Sequence, residues 1–154
     1  MRLSGKTLSK GALTTAIAVM AAAAAFAAGQ GEKTVVMRGY KVTPGINTPA
    51  TVARIGLEVD SVMFRNDVTR VFGKLTGPHN TSARIDRIVL THGKEKYVSN
   101  NIDGFDYERA FQWEEDGSIP VEIDFAPIKS RPEMFVIGAE TPRGNCIWSV
   151  AKKH

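Results

Sequence analysis

Cysteine is almost missing from this 154-residue chain, which carries only Cys146. One thiol closes no intramolecular disulfide, so the fold must be held by its core. Histidine is nearly as scarce. His79, His92 and His154 form no His-x-His or His-x-x-x-His pair of the kind that fixes zinc. There is no Gly-x-Ser-x-Gly elbow, so a Ser-His-Asp set drawn from Ser82, His79 and Asp86 has no local support. Surplus charge is lacking too. The formal net charge is +4, but Arg2, Lys6 and Lys10 supply three of those charges, and the rest of the chain balances 17 Lys+Arg against 16 Asp+Glu. A phosphate-neutralising protein needs an excess of cations, which excludes nucleic acid as the partner.

Only one long apolar run is present, and it lies at the start. Arg2, Lys6 and Lys10 precede the apolar stretch from Ala12 to Ala24, and Ala25-Phe26-Ala27 supplies a small-x-small cleavage pattern. Residues 1–27 are therefore expected to be a cleavable signal peptide, and residues 28–154 a single domain. A membrane anchor needs about 20 apolar residues. This run is shorter, diluted by Thr14 and Thr15 and ended by Gly29-Gln30-Gly31-Glu32-Lys33. The expectation is export to the periplasm or beyond, with no stable membrane span after cleavage.

The rest of the chain alternates with period two. Strands are expected over Thr34–Val42, 53–60, Val68–Leu75, Ile85–Leu90, Lys96–Val98, Phe105–Trp113, Ile119–Phe125, Met134–Glu140 and Cys146–Val150. In the clearest of these, Ile119, Val121, Ile123 and Phe125 face one way, and Ser118, Pro120, Glu122 and Asp124 the other. Asp116-Gly117 between two alternating segments predicts a hairpin joining 105–113 to 119–125. No amphipathic helix follows the leader. Short strands joined by turns must bury one face against another layer, so an antiparallel β-sandwich is expected, with a small closed β-barrel as the alternative. Cys146, within an apolar strand, reads as a small core residue.

A resemblance supports this architecture. Val68-Thr69-Arg70-Val71-Phe72, Ile85-Asp86-Arg87-Ile88, Gly93-Lys94-Glu95-Lys96-Tyr97 and the run from Asp116 to Phe125 resemble small exported immunoglobulin-like β-sandwich modules of bacterial cell-envelope proteins. The likeness covers roughly residues 55–140 and rests on strands and hairpins. Antibody-type domains carry two cysteines flanking a tryptophan, and this chain does not. What the resemblance implies is an immunoglobulin-like fold in a cell-envelope setting; such modules bind, space or dock, and no activity follows from the fold.

Phe105, Tyr107, Phe111 and Trp113, with Arg109 among them, share odd numbering. On one regular strand they would form a stripe. Buried, the stripe is half of the core, and this is the default, since each buried aromatic contributes about 2–3 kcal/mol. Exposed, it is a platform for sugar or protein, with His79 in the nearby 77–82 loop. Asn101, Asp103, Asp106 and Glu108 lie close together in sequence and are candidate calcium ligands, although no Asp-x-Asp-x-Asp-Gly run is present. No other cofactor is expected.

These features point to a non-enzymatic binding module of the cell envelope with a protein or glycan partner. The first alternative is a periplasmic inhibitor or immunity protein, with Glu114-Glu115-Asp116 meeting a basic target. The second is a carbohydrate-active enzyme using Asp103, Asp106 or Glu108.

Overall fold

Alternation across Thr34–Val42 predicts one strand, but Gly39 divides it in two. Its φ of +80° lies in the left-handed region that glycine enters without strain. Strand β1 (Val35–Arg38) therefore joins one sheet and β2 (Tyr40–Pro44) another. The structure, a computed structural model, describes residues 33–154. The expected leader over 1–27 lies outside the described residues.

The remaining strands are β3 (Gly56–Phe64), β4 (Thr69–Thr76), β5 (Ser82–Arg84), β6 (Arg87–His92), β7 (Glu95–Val98) and β8 (Asn101–Asp103). They are followed by β9 (Ala110–Gln112), β10 (Ser118–Phe125), β11 (Met134–Thr141) and β12 (Gly144–Lys152). One five-stranded sheet has the order β1-β3-β4-β10-β8, the other β2-β12-β11-β6-β7, and β5-β9 form a small ribbon. Every pairing is antiparallel. Among the described residues there is no helix. Both large sheets keep open edges, so the architecture is that of a β-sandwich and not a closed barrel.

The core forms from the alternating residues of both sheets. Val62, Val71, Leu75, Ile123 and Phe125 of the first sheet share one buried cluster with Ile88, Leu90, Ile137, Cys146 and Val150 of the second. Strand β3 extends four residues beyond its expected end at Asp60. The alternation is lost there because a bulge interrupts the ladder between Val59 and Ser61. The extra residue shifts the inward set from Leu57 and Val59 to Val62 and Phe64.

Strand β10 has the expected inward face, but Asp124 on its other side is also buried. Arg70, directly opposite on β4, clamps it with Nε–Oδ1 at 2.6 Å and Nη2–Oδ2 at 3.0 Å. This bidentate ion pair satisfies the carboxylate that burial would otherwise penalise.

The expected hairpin across Asp116-Gly117 is not formed. A turn is present, with the Gly117 N–H on the Glu114 carbonyl at 2.9 Å, but β10 pairs with β4 and β8. Residues 105–113 do not make a continuous strand. Only β9 is extended, and it pairs with β5. The chain before it bends through Gly104 and Glu108, the latter at φ +64°.

Candidate functional site

The four aromatics of 105–113 touch one another in series without sharing a strand. Phe105 stacks on Phe111 with ring centroids 4.6 Å apart and meets Tyr107 edge-on at 5.9 Å. Phe111 meets Trp113 edge-on at 5.1 Å. Phe105 and Trp113 are 8% and 3% exposed, and Tyr107 and Phe111 are half-buried against the same cluster. The exposed-platform expectation therefore fails for Phe105 and Trp113, whose faces are spent on the core. Burial also pushes the Tyr107 phenol up to about 12, while its hydroxyl donates to Ser99 Oγ at 2.7 Å. Arg109 and His79 are exposed.

The acidic candidates are also scattered. Asn101 and Asp103 lie on edge strand β8, and Asn101 Nδ2 is 3.5 Å from Asp124 Oδ2. Asp106 and Glu108 are exposed in the bend that follows. Among the described residues no three His, Cys, Asp or Glu side chains gather as a group that could hold a metal ion. The Asp86 carboxylate is held by Arg84 (Nε–Oδ1 2.6 Å) and not by His79. Cys146 is fully buried, its Sγ 3.5 Å from the Val52 carbonyl, and burial pushes its thiol up to about 11. Such a thiol is inert at neutral pH.

A concave feature of the described residues lies elsewhere. A cleft of about 740 Å³ opens between the turns linking β2 to β3, the segment leading into β5, β5 itself, the outer face of β9, and the β11–β12 turn. Three arginines line it, Arg54, Arg84 and Arg143, and no carboxylate does. Local hydrogen bonds hold its walls. Thr51 Oγ1 donates to the Arg143 carbonyl at 2.9 Å, and the Ile147 N–H donates to Thr48 Oγ1 at 2.9 Å, fastening the β2–β3 connection to β12. In the β11–β12 turn, Thr141 Oγ1 donates to the Gly144 carbonyl at 2.6 Å and accepts from the Arg143 N–H at 3.1 Å. Below the opposite wall, Trp113 packs so closely on Gly77 that any side chain at 77 would overlap its indole.

Arg84 is partly neutralised by Asp86, whereas Arg54 and Arg143 have no ion-pair partner among the described residues. The cleft can thus hold an anion, since a guanidinium offers carboxylate or phosphate a forked pair of donors. No sequence signal marks these arginines as a set. They come from the β2–β3 connection, strand β5 and the β11–β12 turn, and only the topology brings them together.

Pro78 and Asn80 line the cleft while His79 between them does not. A second hollow lies beside Glu114, Glu115 and Asp116. There Asp116 accepts from the Ser118 N–H and hydroxyl, both at 3.0 Å, which holds its carboxyl below the usual range. No protein-family model, curated protein or solved structure matches the chain. The functional reading accordingly stands on fold and cleft alone.

Proposed function

We propose that this chain is an exported, non-enzymatic, immunoglobulin-like binding module of the cell envelope that engages a protein or glycan through the end of the sandwich carrying the arginine cleft. Strand order supports the immunoglobulin-like assignment. With β3, β4, β10 and β8 taken as A, B, E and D, the first sheet has the constant-type order A-B-E-D. The second then reads G-F-C from β12, β11 and β6, with β7 added beside C; β1 and β2 extend the two sheets at their edges. The cleft falls where the B–C, D–E and F–G connections meet, and loops at one end of such sandwiches commonly carry binding.

The observation that carries the reading is the unbalanced charge of the cleft: three arginines and no carboxylate. A glycosidase would need a carboxylate pair about 5–10 Å apart at the bond it breaks, which a wall of guanidiniums does not supply. The exposed turn Glu114-Glu115-Asp116 favours the inhibitor or immunity reading as second choice, since it offers a separate acidic contact for a basic target.

The test is affinity capture of envelope proteins and glycans on the full-length chain and on an Arg54→Glu/Arg143→Glu variant. The expected result is a defined ligand retained by the parent and lost from the variant, with unchanged thermal unfolding. Equal retention by both, or turnover of an offered glycan without a stable complex, overturns the reading.

A further inference from the structure

We propose that the occupant of the arginine cleft is an extended acidic peptide, which adds as a third strand to the free edge of β5. The proposal rests on the binding-module reading and narrows it to one ligand chemistry.

The first observation is an unpaired strand edge. Ribbon strand β5 has a neighbour on one side only, β9, with Ala83 opposite Phe111. On the β5 side the hydrogen bonds flanking that pair fall on odd-numbered residues: the Thr81 carbonyl accepts from the Trp113 N–H at 2.9 Å, and the Ile85 carbonyl from the Glu108 N–H at 3.0 Å. In an antiparallel ladder, backbone groups alternate between the two sides of a strand. Ser82 and Arg84 therefore direct their N–H and C=O groups away from β9. Asp86, next in that even series, shows where this side leads, because its N–H donates to the Glu140 carbonyl of β11 at 2.8 Å. From Asp86 back to Ser82 the edge runs past the β11–β12 turn, and the space between them is the cleft, lined by Ser82, Arg84 and Arg143. An open edge of this kind is a template for a peptide strand.

The second observation is charge. Arg54 and Arg143 stand on the walls without ion-pair partners among the described residues, and Arg84 projects from β5 itself with its side chain 47% exposed. A peptide strand repeats its side chains every second residue on one face, so alternating carboxylates would present a row of acceptors to these guanidiniums. A sugar chain fits less well. Recognition of sugars commonly uses an open aromatic face, and the only aromatic in the lining, Trp113, is 3% exposed.

The test uses the full-length chain and a fluorescently labelled, acetylated hexapeptide of alternating glutamate and valine. Four comparison probes are the lysine-valine counterpart, the glutamate peptide N-methylated at alternate residues, oligogalacturonate and inorganic phosphate. Anisotropy should show saturable binding of the glutamate peptide that weakens with salt. Affinity should fall about tenfold for Arg54→Ala and for Arg143→Ala, the scale of losing one charge-assisted hydrogen bond. Arg54→Lys and Arg143→Lys should retain part of it, and thermal unfolding of all four variants should match the parent. Hydrogen exchange at the Ser82 and Arg84 amides should slow in the complex. Equal binding of the N-methylated peptide removes strand addition, and equal binding of the lysine peptide removes the charge argument; either overturns the proposal. Arginine-dependent binding of oligogalacturonate or phosphate, with no binding of the glutamate peptide, overturns it while leaving the binding-module reading in place.

Discussion

Thr69 has no exposed surface, yet it carries a hydroxyl, and that hydroxyl has one task. Its Oγ1 accepts the Ile128 N–H at 2.9 Å, tying the start of β4 to the loop after β10. Thr69→Val preserves shape and leaves the buried N–H orphaned. The expected loss is about 1–3 kcal/mol, read as a lower urea midpoint at unchanged slope. Thr69→Ser, which keeps the oxygen, should lose less. An equal loss in both variants would assign the effect to packing instead. Single residues were legible where alternation alone decides their environment, as for Cys146 and for the inward set Ile119, Val121, Ile123 and Phe125. They were illegible where a partner on another strand decides it. Asp124 reads as solvated, and it is buried because Arg70 lies opposite it on β4.

At the scale of elements, segment 105–113 is the instructive departure. Its odd-numbered aromatics mimic a strand, but the chain arches from Phe105 to β9 so that both ends of the segment anchor in the core. Periodicity records which residues are apolar and says nothing of the bend between them. The same segment closes the floor of the cleft through Trp113, which seats on Gly77. Gly77→Ala should force the indole away and destabilise the protein by about 1–3 kcal/mol, the usual penalty for overpacking. Chemical denaturation together with a changed near-ultraviolet circular dichroism spectrum would register it. An unchanged spectrum and midpoint would show that the contact yields without consequence. The Asp116-Gly117 turn teaches the same lesson in reverse. Local chemistry makes the turn, but ladder competition from β4 and β8 decides what β10 pairs with.

For the whole molecule, the absence of disulfides leaves stability to burial, and burial has an alkaline limit. Desolvation raises the Cys146 thiol from 9.0 to about 11, and raises the Tyr40 and Tyr107 phenols from 10.0 to about 12. In each case the fold favours the neutral form. The associated stabilisation is complete below the unfolded-state values and is lost as pH rises through the folded ones. The melting temperature should therefore hold up to about pH 9 and decline between about pH 9 and 12, with Cys146→Ala delaying the onset. Tyrosinate absorbance from Tyr40 and Tyr107 should emerge together with loss of the β-sheet dichroism. Ionisation of every tyrosine near pH 10 with the sheets intact would contradict this account.

Composition and period-two patterning by themselves determined that the chain beyond its apolar start is an all-β protein of two layers, because alternation specifies which side of a strand must leave water wherever its partners lie. The partners themselves were left to tertiary structure. The order β1-β3-β4-β10-β8, the separate β5–β9 ribbon and the meeting of Arg54, Arg84 and Arg143 all depend on hydrogen-bond competition between segments distant in sequence. A cleft built from segments distant in sequence has no local signature, since its charge exists as a feature only once the two sheets have closed on their common core.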